Sequence, residues 1–380
     1  MPSAIVLGAG MVGSVIAADL ARDDDFDVAI ADVRSDALQA AQQRAAGRIR
    51  TVQADCADPE AVKRLVEPFD IVLGALASRI GFQTLRAIIE AGKHYCDISF
   101  MPENALDLDE LARANDVTAV VDCGVAPGMS NLLAARGAAE LDETHAIEIY
   151  VGGLPRERHW PFEYKAGFAP ADVIEEYTRP ARFVEHGRIV TREALSEPEL
   201  IDFAGAGTLE AFNTDGLRSL IHTLDVPFMK EKTLRYPEHI ELMRVFRATG
   251  LFSHEPIEIE GAAVRPIDVM SRLLFPKWMY QEGEEDLTVM RIIVSGLKDG
   301  RERHRRWDLL DYYDRQMNAT SMARTTAFPC AIIARLIARG RFARRGVSPP
   351  EFIGRDEAIV NEILREHERR GVRYEQSDER

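Results

Sequence analysis

Over the first third of the chain, apolar residues follow two alternating rhythms. Short runs at residues 4–7, 28–31, 49–53, 71–73, 95–98 and 119–121 have the length and continuity of buried strands. Between them, at 14–21, 36–46, 59–66, 82–91 and 104–114, apolar positions recur three or four apart, as on one face of a helix. Six strands joined by helical crossovers predict an α/β fold over residues 1–125, a Rossmann doubly wound parallel sheet with right-handed connections. Ligands of such sheets sit beyond the carboxyl ends of the strands, so the residues just after each run carry the chemical interest.

After residue 125 the rhythm changes. Gly124-Val125-Ala126-Pro127-Gly128 is turn chemistry, and a helix is expected over 129–141. Strand patterns at 146–151, 182–184 and 188–191 follow, the last two separated by His186-Gly187, a hairpin signal. Segments 288–297 and 305–310 flank a second one, Lys298-Asp299-Gly300. A second α+β domain, built on a mixed or antiparallel sheet and serving substrate binding and dimerisation, is therefore expected over 126–319. An alanine-rich helix over Ser321–Ala338 is expected to bring residues 320–355 back onto the first sheet. Residues 356–380 are strongly charged. Ile359, Val360, Ile363 and Leu364 form one narrow stripe there, predicting a docking helix followed by a frayed tail.

The first strand runs into Gly8-Ala9-Gly10-Met11-Val12-Gly13, spaced G-x-G-x-x-G, with a helix directly behind. Gly8 permits the tight turn, Gly10 lets the backbone approach a pyrophosphate, and Gly13 lets helix and strand pack closely. Met11 and Val12 then belong to the helix start, whose free N–H groups face phosphates. Asp32 ends the second strand, nineteen residues after Gly13, where a carboxylate accepts hydrogen bonds from ribose hydroxyls. Its charge opposes a 2′-phosphate, so NAD is the expected cofactor over NADP, with Arg34 a partial offset. Asp55 and Cys56 follow the third strand, on the adenine side. Ala75 and Leu76 follow the fourth, where a flat nicotinamide needs close backbone approach.

Charge and composition narrow the partners. The 380-residue chain carries a formal net charge of −15, which argues against nucleic acid. Arg335, Arg339, Arg341, Arg344 and Arg345 are read as closing a helix near its negative end. Cys56, Cys96, Cys123 and Cys330 show no C-x-x-C pairing, and the histidines no H-x-x-x-H pair, so neither a disulfide framework nor a metal site is expected. The sequence enters a strand at once and holds no membrane-length apolar run, which predicts a cytoplasmic protein independent of membranes.

The second domain must supply the substrate contacts. Its polar clusters are Glu176-Tyr177-Thr178-Arg179-Pro180, Asn213-Thr214-Asp215-Gly216-Leu217-Arg218, and a basic loop from Lys232 to His239. An arginine clamps a carboxylate bidentately and an acid pairs with an ammonium. Together they point to a small zwitterionic substrate, an amino acid.

These motifs have a family likeness. The Gly8–Gly13 fingerprint, His94-Tyr95-Cys96-Asp97-Ile98-Ser99, Asp122-Cys123-Gly124-Val125-Ala126-Pro127-Gly128 and Lys232-Thr233-Leu234-Arg235-Tyr236-Pro237 resemble the saccharopine dehydrogenase family, and within it the lysine 6-dehydrogenases. Ser321-Met322-Ala323-Arg324-Thr325-Thr326 and Gly346-Val347-Ser348-Pro349-Pro350 are similar too. Saccharopine reductases usually carry an aspartate before the Pro-Gly of the third motif, where this chain has Ala126. The resemblance implies an oxidative deamination at the ε-carbon of lysine with NAD, giving a semialdehyde that cyclises, and a homo-oligomer, commonly a dimer.

Hydride loss from a C–N carbon requires a neutral amine, whereas lysine's amine has a pKa of ~10.4 in water. A positioned base is therefore needed. Asp97 and His239 are the candidates, with Cys123 near the nicotinamide. Arg235 is the expected carboxylate clamp, with Tyr236 as its hydrogen-bond partner and Arg179 as second choice, while Thr214 and Asp215 would hold the α-ammonium. Two other readings stand beside this one: a reductase acting on a secondary amine, as in saccharopine or carboxynorspermidine chemistry, and a non-catalytic dinucleotide sensor.

Overall fold

The computed structural model describes residues 1–23, 26–168 and 170–379, and the chain divides into two compact units. The first comprises Met1–Ala139, Arg315–Ala319 and Ala323–Arg373. Its strands β1 (Ser3–Leu7), β2 (Asp27–Asp32), β3 (Arg50–Gln53), β4 (Ile71–Gly74), β5 (His94–Asp97) and β6 (Thr118–Val120) are mutually parallel. The register matters for function. Leu7 pairs with Ala31 and Gly74, and Gly74 with Asp97, so the chain leaves β1, β2, β4 and β5 along one common edge.

The interior strands are apolar throughout; Ala4 to Leu7 and Val72 to Leu73 are fully buried, as expected for strands covered on both faces. The helix Met11–Leu20 buries Val15, Ile16 and Leu20 against them. The helix expected over 104–114 is split. Asn104 accepts from the Leu106 amide at the head of a 3-10 turn, Ala105–Leu108, and the α-helix proper is Asp109–Ala114.

The second unit comprises Glu140–Asp314, Thr320–Met322 and the chain from Tyr374. It contains β7 (Glu143–Pro155), β8 (Ala181–Glu185), β9 (Arg188–Arg192), β10 (Glu199–Phe203), β11 (Gly207–Asn213), β12 (Phe228–Arg235), the hairpin β13 (Ile257–Ile259) and β14 (Ala262–Val264), β15 (Asp286–Lys298) and β16 (Arg301–Tyr312). Two strands then complete the sheets: β17 (Gly346–Ser348) pairs parallel with β6, and β18 (Tyr374–Glu379) antiparallel with β16. The first sheet thus has the order β17-β6-β5-β4-β1-β2-β3 and reverses between β1 and β4, where open α/β sheets hold their ligands. The second runs β10-β11-β12-β7-β15-β16-β18 and is mixed, since β12 and β7 are parallel.

Both hairpin signals form turns. His186 and Gly187 have φ of 50° and 71°, Asp299 and Gly300 of 51° and 69°, the positive pairs that match the twist of two-residue hairpins. Three expectations change. The basic loop is strand β12 followed by the helix His239–Ala248. Residues 356–380 do begin with a helix, Glu357–Arg369, but the frayed tail is replaced by β18, whose backbone ladder holds a charged sequence and whose Asp378 pairs with Arg305. Arg335 does more than close its helix: fully enclosed, it donates to Asp19 at 2.7 Å. Among the described residues, no helix is long and apolar enough to cross a membrane.

Candidate active site

At the common strand edge of the first unit the glycines of the fingerprint divide their work. Gly8 has φ +100°, and a Cβ on Gly13 would lie 1.9 Å from the Gly8 carbonyl oxygen, so neither tolerates a side chain. Gly10 meets nothing within 4 Å of where its Cβ would be, leaving the approach to the backbone open. It also caps the helix Met11–Leu20 without a side-chain hydrogen bond, so no side chain of the loop occupies the first N–H groups. Met11 is exposed and Val12 partly so. Asp32 is fixed from two sides: Oδ2 accepts the Ala9 amide at 2.7 Å and Oδ1 the Arg34 amide at 2.8 Å. The Arg34 side chain is exposed, 3.8 Å from Asp36. These residues fit a dinucleotide, with open backbone for the pyrophosphate and an anchored carboxylate for the ribose.

Around this cradle, Asp55 Oδ1 accepts the Ala57 amide at 2.9 Å in a local turn. Cys56 beside it is buried, and burial, with Asp32 and Asp55, pushes its thiol up to about 11. Ala75 donates its amide to Leu7 O at 2.8 Å and closes on Gly8, while Leu76 is half-buried at the same edge.

Asp97 ends β5 and is fully buried. Its Oδ1 accepts the Ser99 amide at 3.0 Å and the Ser99 hydroxyl at 2.7 Å; its Oδ2 has no hydrogen-bond partner among the described residues. Burial pushes the carboxyl up to about 7, with the two Ser99 bonds pulling the other way. This is an acid that changes charge near neutrality.

Cys123 follows the end of β6. It is fully buried, its sulfur 3.3 Å from Val120 O, in a group of three thiols with Cys96 and Cys330. Burial pushes Cys96 and Cys330 well above the ordinary thiol range. Cys123 itself goes the other way: against the push of burial, its hydrogen bonds with Cys330, Cys96 and the Asp97 backbone pull its thiol below the ordinary range.

In the second unit, β12 explains the polar cluster. Alternation places Glu231, Thr233 and Arg235 on one face, and Lys230 and Lys232 on the other, where they pair with Glu148 and Glu199 at 2.8 Å each. Arg235 is almost wholly buried. It donates to Glu176 Oε2 at 2.6 Å, Leu234 O at 2.9 Å and Tyr177 Oη at 3.2 Å, and its guanidinium lies 4.4 Å from the Tyr164 ring centroid. Its donors are spent within the chain, so the expected carboxylate clamp is instead the cation that organises this face. Tyr236, one residue on, donates to Pro155 O at 3.0 Å and is not Arg235's partner. Arg179 stands on a helix end with Glu175, at 3.4 Å.

His239 extends the same chain of bonds. Its Nδ1 lies 2.8 Å from Phe162 O, an acceptor only, so Nδ1 carries the proton and Nε2 accepts the Tyr177 hydroxyl at 2.9 Å. Burial, helped by Arg235, holds its pKa down to about 3. A neutral imidazole with both nitrogens engaged is no general base, which removes His239 from that role.

The pair expected to hold an ammonium is split. Asp215 accepts Arg182 Nε and Nη2, both at 2.9 Å, and is thereby neutralised. Thr214 donates at 2.6 Å to Glu231, which the sequence does not single out, nor Tyr164; Glu176 and Tyr177 stand in one of its polar clusters, without the role they take beside Arg235. The signal available was the two-residue spacing of Glu231, Thr233 and Arg235.

Comparison with known proteins agrees with this architecture. Residues 4–120 match the saccharopine dehydrogenase NADP binding domain and residues 124–372 the saccharopine dehydrogenase C-terminal domain. The chain is 22% identical to saccharopine dehydrogenase (NADP(+), L-glutamate-forming) of Schizosaccharomyces pombe, over 99% of each chain. It is 21% identical to carboxyaminopropylagmatine dehydrogenase of Synechocystis, over 91% of this chain and 92% of that one. Carboxynorspermidine synthase of Vibrio cholerae is 24% identical, over 93% of each. In fold, it superposes on apo saccharopine dehydrogenase (L-Glu forming) from Saccharomyces cerevisiae with a TM-score of 0.81, at 17% identity and with both chains wholly covered. The chain belongs to the saccharopine dehydrogenase family.

Proposed function

We propose that this protein is an NAD-dependent dehydrogenase that oxidatively deaminates the ε-amino group of L-lysine to the 6-semialdehyde, which cyclises to piperideine-6-carboxylate. The observation that carries the reaction class is Asp97, a buried carboxyl at about 7 on the strand edge that also bears the dinucleotide cradle. A bound nicotinamide supplies the hydride acceptor. Gly8, Gly10 and Gly13 admit the pyrophosphate, and Asp32 holds the ribose hydroxyls. Asp97 acts through Ser99: as the amine loses its proton toward the Ser99 hydroxyl, Ser99 passes its own to Asp97 Oδ1, 2.7 Å away. Water then releases ammonia, and the carbon is left as an aldehyde.

Lysine is favoured over saccharopine because Ala126 stands where saccharopine reductases usually carry an aspartate. The names of the relatives favour a second reading, a reductase acting on a secondary amine such as saccharopine or carboxynorspermidine. The test is NADH formation at alkaline pH across lysine, ornithine, saccharopine and diaminopimelate. Turnover of lysine with ammonia released one-for-one supports deamination; turnover of saccharopine alone replaces it with the second reading.

A further inference from the structure

Within the second unit, the hairpin β13–β14 stands off the body as an arm. Its strands pair with each other and with no further strand among the described residues, and from His254 to Ala263 every residue is exposed. Glu260 and Gly261 make the turn, with φ of 51° and 81°. Ile257 pairs with Val264 and Ile259 with Ala262, so these four share one face, on which Ile257 is 50% and Ile259 49% exposed. A lone two-stranded hairpin is marginal in water, and one with two isoleucines turned to solvent gains from being covered. The arm is also acidic. Glu255, Glu258 and Glu260 lie along it with no lysine or arginine between them, and none forms an ion pair among the described residues.

One residue, Arg265, separates β14 from the helix Pro266–Trp278. That helix buries Ile267, Met270, Leu274 and Trp278, yet its opposite side is apolar too. Val269 is 47% and Leu273 59% exposed, and Pro276 is exposed beyond them, four and then three residues on along one stripe. Arg272 and Lys277 flank the stripe on either side, exposed and without an ion pair among the described residues. A one-residue junction stiffened by Pro266 keeps the arm from folding back along the helix it precedes. The chain thus carries two uncovered apolar surfaces with opposite charge, an acidic arm and a basic-edged stripe. We infer that they meet between two copies of this chain, each arm laid along the other copy's stripe. Glu255 and Glu260, at the two ends of the isoleucine face, then supply the charges that answer Arg272 and Lys277. Such an exchange is self-complementary and closes at two copies about a twofold axis. It is independent of the reaction proposed above.

The test is sedimentation velocity on the full chain across the micromolar range, where the wild type should form a species of two copies. Ile257→Ser combined with Ile259→Ser should weaken association about 100-fold, because the apolar face no longer gains from leaving water. Glu255→Lys with Glu260→Lys sets a basic arm against a basic helix. Arg272→Glu with Lys277→Glu sets an acidic arm against an acidic helix. Each pair alone should weaken association about tenfold or more, as like charges are brought together. Mixed one-to-one, the two charge variants should associate again, since every arm then meets a helix of opposite sign. Recovery on mixing is a result that misfolded chains cannot give. A wild type that stays monomeric throughout, as it would if another protein covered the arm, overturns the inference. So does a serine variant that associates like the wild type, or a pair of charge variants that fails to recover on mixing.

Discussion

Arg235 and Glu176 form an ion pair of 2.6 Å that ties the end of β12 to the helix Pro170–Thr178, with the arginine side chain 2% exposed. Burial pushes Glu176 up, and Arg235 pulls it the other way by charge and by hydrogen bond. Breaking one side of such a pair strands the other charge, at about 3–5 kcal/mol. Glu176→Gln should therefore lose about that much stability in urea unfolding. A Glu176→Leu, Arg235→Met double variant should recover most of it, because both charges leave together. A Glu176→Gln protein as stable as the wild type would show that solvent reaches the pair.

Asp97 sets a pH dependence whose sign is fixed by its displacement from 3.8 to about 7. A raised carboxyl favours the folded state fully below its ordinary pKa, and this contribution is lost as pH rises through 7. The penalty at pH 8.5 is on the order of 4 kcal/mol, taking 1.36 kcal/mol per pKa unit. Thermal unfolding at pH 5 and 8.5 should show the wild type falling and Asp97→Asn holding level. The same variant should lower kcat by about 10²- to 10⁴-fold, the usual contribution of a positioned acid or base. A wild type and variant with parallel pH profiles would remove Asp97 from both roles.

What the sequence disclosed, and what it withheld, follows from how each residue is positioned. The Rossmann half was legible because its strands are short apolar runs and its glycines answer to a local turn; β1, β4 and the hairpin turns need no distant partner to be recognised. By contrast β12, Phe-Met-Lys-Glu-Lys-Thr-Leu-Arg, alternates charge with charge, so its two faces carry no apolar signal and it reads as a loop. Only the pairing with β7 and β11 makes it a strand. β18 is hidden for the same reason, a charged segment held by the β16 ladder. The roles of Arg235 and Asp215 were misread because the sequence does not reveal that Glu176 and Arg182, 59 and 33 residues away, arrive first.

His239 gives a dependence of the opposite sign. Its pKa is held from 6.5 down to about 3, so the stability it confers is full above 6.5 and is lost as pH falls below that value. Wild-type Tm should drop between pH 6.5 and 4.5 by more than that of His239→Gln, although the variant starts lower for want of the Tyr177 and Phe162 bonds. Because the imidazole is neutral throughout the working range, the alkaline-side activity profile should keep its shape in the variant. An activity limb that disappears with His239→Gln would restore it as a proton-transfer residue.

Cofactor choice turns on Asp32. Both carboxylate oxygens are pinned by backbone amides, Ala9 at 2.7 Å and Arg34 at 2.8 Å, so the charge cannot swing away from an incoming 2′-phosphate. The matched family domain is described as NADP binding, which makes this the sharpest point of comparison with its relatives. Two like charges at 4 Å repel by about 1 kcal/mol in water and more where solvent is displaced, or about tenfold in affinity. Wild-type kcat/KM should therefore favour NAD over NADP. Asp32→Ala should narrow or reverse that ratio, since the exposed Arg34 side chain, now opposed only by Asp36, is left beside the ribose position. A wild-type preference for NADP would mean that Arg34 outweighs Asp32, and Arg34→Ala would then be the variant that abolishes it.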